Sequence, residues 1–391
     1  MSWRLYTADT ITGELRRPID VPSCSWSLSV SDASLATTRD KGTGEGEASS
    51  LTVPWSAVWG STARERAREL TAGKRAIALC WEEGGATVPL VFGAIGQRTD
   101  TALDTSFSLD SVTTLLSQRY VVREGDFRKG APAISLDDLS LRAIAANVGW
   151  YATEGKPAGS LPIDWGDFYE RGGHQRTFWP WNVSNLSAAD VLEKIANVEG
   201  GPDITFRPYM ADAHHVRLRM VAGSDADPYV GQDVVRRLQW FHGAGSVHSL
   251  TVAHLGPVER VYATGAGTEE EADVCLAEDL TYCRQSDPWP IVEECVSCTD
   301  SDDHALLEGH ARGRLVADWW PLCQVTCTVD LADPQVPRIG EVWPGDAMTL
   351  AVESFPTIPD GEYHVRLMEM SGDLGTLVTL KFDPMRDPAE T

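Results

Sequence analysis

The sequence predicts a mainly β protein with an α+β middle, built as a duplicated barrel or sandwich. Three observations carry this. Val88 to Leu116 reads as two strands joined by a polar turn and followed by an apolar turn of helix, with Phe107 and Leu109 alternating against Ser106, Ser108 and Asp110. Gly361 to Pro384 repeats the plan, with Val378, Leu380 and Phe382 facing one way and Thr379, Lys381 and Asp383 the other. Between the two, from Tyr120 to about Gly231, the period changes to that of helices. The expected organisation is a first β-barrel over 1–119, an α+β domain over 120–231 and a second β-barrel over 232–391.

The elements follow in order. WRLYTADTITGEL alternates around a TGE turn and predicts a hairpin, and SCSWSLSV predicts a strand with Trp26, Leu28 and Val30 on one face. Asp40 to Ser50, DKGTGEGEASS, is glycine-rich and charged and reads as an exposed loop; with no helix after it, GTGEGE is no dinucleotide fingerprint. SLTVPWSAVW is a short strand stopped by Pro54. Ser61 to Gly73 has a capping residue, charged flanks and a closing glycine, which predicts a short helix whose three arginines face solvent. AIALCWEE adds a strand.

In the middle, Asp137 to Trp150 spaces Leu141, Ile144 and Val148 at helical intervals behind two acids. A second helix is marked by Ser187 as cap, Val191, Ile195 and Val198 on one face, and Gly200 as terminator. ITFRPYMADAHHVRLRMV then reads as a hairpin. Past Asp233 the pattern is β again, broken by a polar insertion over about 268–303. A helix over about 303–319 follows, with Leu307, Ala311 and Leu315 recurring every four residues. Strands are expected at Cys323 to Val329, Ala347 to Val352, Tyr363 to Met370 and Thr376 to Phe382, with a tight turn at Pro344 to Asp346.

Composition narrows the function. With 391 residues, 42% of them hydrophobic, the chain has material for two to four cores at roughly 100–200 residues per domain. No apolar run approaches the roughly 18 residues that a spanning helix needs, and MSWRLYTADT lacks the pattern of a secretory signal, so the mature chain is expected to keep its start. A net charge of -24 argues against gripping nucleic acid, because that depends on Lys and Arg displacing counterions from phosphate. Plain solubility is the favoured account of the charge taken alone; a lining that repels nucleic acid is the other use it could have.

Chemistry is sparsely signalled. There is no G-x-S-x-G, no phosphate-binding loop, no H-E-x-x-H and no EF-hand loop. No cofactor is expected, and the chain reads as no enzyme. The candidates are as follows. Cys295 and Cys298 form a lone C-x-x-C, with Cys275 and Cys283 upstream and His304 and His310 downstream, but structural zinc usually adds a second close pair at a recognised spacing. Free thiols or a local disulfide are the alternatives. Cys323 and Cys327 share a strand face with Val325 and Val329 and read as small core residues. Asp164 and Asp167, flanking Trp165, are the carboxylate pair through which a glycosidase reading would run. His214 and His215, adjacent in a strand, would point to opposite faces and cannot chelate one ion. His174, Trp179 and Trp181 in HQRTFWPWNV, and Trp150, suit a protein interface or core better than a sugar site.

The succession of VPLVFGAIGQ, NLSAADVLEKIANVEGGPDITF, VERVYATGAG, a helix rich in Leu, Ala and Arg, then IGEVWPGDAMTLAV, GEYHVRLMEM and TLVTLKFDP resembles the central tail-hub, or minor tail, proteins of long-tailed bacteriophages, related to the baseplate hubs of contractile tails. The resemblance covers nearly the whole chain except the polar insertion. It implies two related β-barrels flanked by and packed with α/β domains, assembled as a homotrimer whose six barrels form a pseudo-sixfold ring. Such a ring joins the sixfold tail tube to threefold tip proteins and lets DNA pass during ejection. The implied partners are distal tail and tail-tube ring proteins, the tape measure protein, and tip or fibre proteins; the implied location is the virion tail tip, after synthesis in the host cytoplasm. Some proteins of this class carry an added wall-cleaving region; with DPMRDPAET closing the chain after the last strand, none is expected here. A tail-associated cell-wall hydrolase and a carbohydrate-binding receptor module are the alternatives.

Overall fold

The computed structural model describes residues 2–37, 50–125, 127, 129–198, 200–232, 236–241, 243–266, 273–298 and 303–388. The loop read over Asp40 to Ser50 lies outside them except for Ser50.

β1 (Ser2–Asp9) and β2 (Leu15–Ile19) form the first hairpin. Its turn depends on Gly13, whose φ is +72° and where a Cβ would lie 1.9 Å from the Val216 carbonyl oxygen. β3 (Ser25–Ser29) and β4 (Ala33–Ala36) form a second hairpin with Trp26 and Leu28 buried. β5 (Leu51–Pro54) leads into α1 (Ala63–Glu69), which opens with a capping box: Thr62 Oγ1 accepts from the Glu65 N–H, and the Glu65 carboxylate accepts from the Thr62 N–H. Arg64 and Arg68 are exposed, but Arg66 is half-buried and donates to the Gly60 carbonyl. Glu69, at the far end, is buried and accepts from Thr7 on β1 and Arg16 on β2, which ties the helix to that hairpin. β6 (Arg75–Glu83), β7 (Ala86–Asp100) and β8 (Asp104–Asp110) then run as an antiparallel meander, and α2 (Val112–Ser117) follows, capped by Ser111.

In the middle lie β9 (Ile134–Leu139), α3 (Leu141–Ala152), β10 (Ile163–Asp164), β11 (His174–Phe178), α4 (Ala188–Ala196), β12 (Ile204–Met210) and β13 (Val216–Ala222). The helix expected from Asp137 begins at Leu141. Asp137 and Asp138 belong to β9, which pairs with β11, and the cap is Ser140, whose Oγ accepts from the Ala143 N–H at 3.2 Å. α4 starts at its expected cap: Ser187 Oγ accepts from the Asp190 N–H. Ile144 and Val148 of α3, Val191 and Ile195 of α4, and Leu218 of β13 join Phe92 of β7 and Leu116 of α2 in one buried cluster. Each such side chain stabilises the fold by about 1.5–3 kcal/mol relative to exposure, so the first sheet and the α+β region share a core.

The remaining elements are β14 (Arg236–Phe241), β15 (Val247–Leu255), β16 (Arg260–Thr264), β17 (Val274–Glu278), β18 (Glu293–Ser297), α5 (His304–Asp318), β19 (Leu322–Asp330), β20 (Ala347–Glu353), β21 (Gly361–Gly372), β22 (Leu377–Phe382) and β23 (Met385–Arg386). The expected alternation holds: Cys323, Val325, Cys327 and Val329 are buried along β19, and Val378, Leu380 and Phe382 along β22.

Strand order makes the duplication visible. The first sheet runs β2-β1-β6-β7-β8-β5, and the later one β14-β20-β21-β22-β19-β15. Placing β1, β2, β5, β6, β7 and β8 on β14, β15, β19, β20, β21 and β22 turns one into the other when both are read as circles. They differ in where the circle opens, between β2 and β5 in the first and between β14 and β15 in the second. β3 pairs with β21, Trp26 opposite Gly372 and Ser29 opposite Glu369, so the early hairpin extends the later sheet. The protein is therefore mainly β, with two related barrel-type sheets and an α+β region.

By compactness the chain divides into two units, Met1–Leu238 with Thr328–Thr349 and Arg366–Leu380, and Gln239–Cys327 with Leu350–Val365 and Lys381–Thr391. The second unit contains a small module. β17 pairs antiparallel and β18 parallel with β16, and α5 lays Leu307, Ala311 and Leu315 on Val261, Ala263, Cys275 and Ala277. The segment read as a polar insertion thus supplies two of this sheet's three strands.

Candidate functional site

Asp164 ends β10, which lies parallel to β13. Its Oδ1 accepts from Arg217 Nε at 2.9 Å and Nη2 at 2.5 Å, and its Oδ2 accepts from the Tyr209 hydroxyl. Burial pushes this carboxyl up, but the hydrogen bonds from Arg217 and Tyr209 and the charges of Arg217 and Arg219 outweigh it and hold the group below the ordinary range. A glycosidase acid needs the opposite shift. Asp167 is engaged in a turn, its Oδ1 accepting from the Tyr169 N–H at 2.8 Å. Trp165 between them is a core residue. Its ring lies 3% exposed under α3, meets Phe206 edge-on at 5.8 Å between centroids, and donates its indole N–H to Thr153 Oγ1 at 3.1 Å and Glu154 Oε2 at 3.0 Å.

The other tryptophans divide. Trp179 and Trp181 stand out from the short turn at Pro180–Asn185, 48% and 77% exposed, and Trp150 is 39% exposed. His174 Nε2 lies 3.4 Å from Asp225 Oδ2. His214 and His215 occupy the turn between β12 and β13, where the sequence had them in a strand. Asp212 Oδ1 gathers both backbone N–H groups and stands 2.9 Å from His215 Nδ1, the geometry of a tight polar turn.

The cysteines separate by face. Tyr262 on β16 lies opposite Cys295, whereas Ala263 lies opposite both Cys275 and Val296. Successive residues of a strand alternate faces. Cys295 therefore shares the outer face with Tyr262, and Cys275 shares the inner face with the small core. Cys298 packs at the edge of that core. Among the described residues, the His, Cys and acidic side chains that converge are Asp273, Cys275 and His304, with one donor atom of each within 4.8 Å of the others. Cys295 and Cys298 are not among them. His304 Nδ1 lies 2.6 Å from Asp273 Oδ2 and 3.3 Å from Cys275 Sγ. The hydrogen bond to Asp273, reinforced by its charge, raises the imidazole pKa, and the same bond lowers that of Asp273. Burial, with the Asp273 and Glu308 charges, raises the Cys275 thiol. No sequence spacing announced this group, because 29 residues separate Cys275 from His304.

No protein-family model and no curated protein matches the chain. Solved structures do. The 43 kDa tail protein of prophage MuSo2 from Shewanella oneidensis aligns over 100% of both chains with a TM-score of 0.50 at 11% identity. The chain has the fold of a prophage tail protein. Two further structures align over most of it: the tail protein from Neisseria meningitidis MC58, covering 100% of this chain and 99% of that one (TM-score 0.46, 12% identity), and the E. coli c3393 protein, a type VI secretion component with structural similarity to T4 tail proteins gp27 and gp5, covering 96% and 76% (TM-score 0.42, 10% identity).

Proposed function

We propose that the chain is a structural component of a phage-type tail, acting as a homotrimeric hub at the tail tip. The observation that carries this is the repeated circular strand order, because two like barrels per chain let three chains present six similar surfaces. On this reading residues 1–119 and 232–391 hold the barrel regions and 120–231 the α+β region between them. The sixfold face meets the tail-tube and distal tail rings and the tape measure protein, and the threefold face takes tip or fibre proteins. The net charge of -24 suits a passage for DNA, since an acidic lining repels phosphate.

The fold likeness to a prophage tail protein supports the reading, as does the commitment of Asp164, one of the two candidate carboxylates, to Arg217 and Tyr209. The test is placement and copy number in particles. A tagged chain labelled with gold should appear at one end of the tail, at about three copies per particle by quantitative mass spectrometry, the count that three-fold closure demands. Label along the whole shaft, or a copy number in multiples of six, would overturn the hub.

A further inference from the structure

We propose that Asp273, Cys275 and His304 bind a zinc ion that pins β17 to the first turn of α5. The three donors are a carboxylate, a thiol and an imidazole. Calcium and magnesium take oxygen ligands and do not suit a thiolate, whereas this mixture is a zinc set. Zinc bonds of about 2.0–2.3 Å at tetrahedral angles place donor atoms roughly 3.3–3.6 Å apart. Cys275 Sγ and His304 Nδ1 already stand at 3.3 Å. The His304 Nδ1 to Asp273 Oδ2 separation of 2.6 Å is that of a hydrogen bond, and it has to open by about 0.7 Å to reach that range. The His304 side chain, 67% exposed, has room to turn.

The supporting geometry is fixed by the backbone. Cys275 is held by its pairing with Ala263, and the Asp273 carbonyl accepts from the Gly265 N–H at 2.8 Å. His304 is the first residue of α5, directly after the Asp303 cap. Three protein ligands leave one position for water, and the exposed His304 and Asp273 side chains put it on the solvent side. A ligand set drawn from a strand and a helix start would tie the two together. Among the described residues, seven buried apolar side chains besides Cys275 form the core of this module, and small cores commonly draw support from a metal or a disulfide. The inference does not depend on the tail role.

The test uses the full chain without a histidine tag, purified under reducing conditions. Metal analysis after desalting should find about one zinc per chain, the stoichiometry of a single site. Exchange with cobalt should produce the near-ultraviolet charge-transfer absorption of a cobalt–thiolate bond. C275S abolishes that absorption; the double variant C295S/C298S keeps it. Because Cys275 is also a core residue, H304N and D273N at the exposed ligands provide the second arm. Loss of an outer-sphere partner already costs about 10–100-fold in metal affinity, so each should weaken zinc binding at least tenfold while circular dichroism matches wild type. Wild-type chain that holds no zinc and shows no cobalt–thiolate absorption would overturn the proposal. So would absorption that survives C275S and disappears in C295S/C298S.

Discussion

Gly149→Ala sets two well-understood effects against each other. Gly149 lies inside α3, where alanine is preferred over glycine by about 1 kcal/mol. Propensity alone therefore predicts stabilisation. The packing predicts the reverse: a Cβ at this position would stand 2.2 Å from two Trp165 ring carbons and 2.5 Å from a third, more than 1 Å inside the ordinary contact of about 3.5–4.0 Å. The ring cannot easily retreat, being 3% exposed and held by its hydrogen bonds to Thr153 and Glu154. Overpacking costs about 1–3 kcal/mol, and a disturbed indole hydrogen bond adds about 0.5–1.5 kcal/mol. Net destabilisation of about 0.5–3.5 kcal/mol follows once the propensity gain is subtracted. Gly313→Ala on the outer face of α5, where nothing lies within 4 Å of the added carbon, is the control and should stabilise its helix by about 0.5–1 kcal/mol. Urea titration followed by circular dichroism and tryptophan fluorescence reads both, with a lower midpoint for the first and a higher one for the second. The packing account is wrong if Gly149→Ala unfolds at or above the wild-type midpoint. Coupling to Trp165→Leu should recover part of the loss, because the smaller side chain vacates the space.

Further expectations concern charge and thiols. The hydrogen bond from Arg142, with help from Ser140 and against burial, lowers the Glu170 pKa. Its contribution to stability is thus present above the ordinary glutamate value of about 4.3 and lost as pH falls through the lower folded value; Glu170→Gln should flatten that part of the acid-unfolding curve, and an unchanged curve would refute the pairing. Glu69→Ala leaves Thr7 and Arg16 without their buried acceptor and should cost about 1–3 kcal/mol in thermal or urea unfolding; a neutral result would mean that water replaces the carboxylate. Burial pushes Cys24, Cys80 and Cys327 up to about 12 and Cys323 to about 11, whereas Cys295 is exposed. Maleimide labelling of the native chain at neutral pH with peptide mapping should therefore mark Cys295 well before those four.

Much of the fold could be read from period and punctuation. The alternation from Cys323 to Val329 identified a strand and its buried face together, and Ser187 located the start of α4, which ends at Ala196, ahead of the expected Val198 and Gly200. Where the reading slipped, a local signal had two meanings. Asp137 and Asp138 look like the acids of a helix start, yet they lie within β9, at the irregularity in its pairing with β11, and capping falls to Ser140. The segment around Cys275 and Cys295 looked like an insertion because its inward positions are small, Cys275, Ala277 and Val296, and carry little hydrophobic signal; only pairing with β16 and cover from α5 give them a core. The shared strand order of the two sheets involves pairings between strands far apart in sequence, which no local period records. The same limit kept Asp273, Cys275 and His304 from being read as one group, whereas the lone Cys295–Cys298 spacing is visible locally.

The pairing of β3 with β21 has a consequence for how the molecule is made. Ser27 donates to Glu369 across 342 residues of chain, and the Trp26 indole donates to the Asp373 carbonyl across 347. At a ribosomal rate of about 5–20 residues per second, the early hairpin waits roughly 20–70 s for its partner strand to be synthesised. During that interval β3 is an open edge beside an apolar tryptophan, the kind of surface on which chains pair wrongly. A molecule cut short before β21 keeps that edge for good. Solubility of the product is thereby coupled to completion of its synthesis, and truncated chains should accumulate in inclusion bodies or chaperone complexes, not as folded fragments.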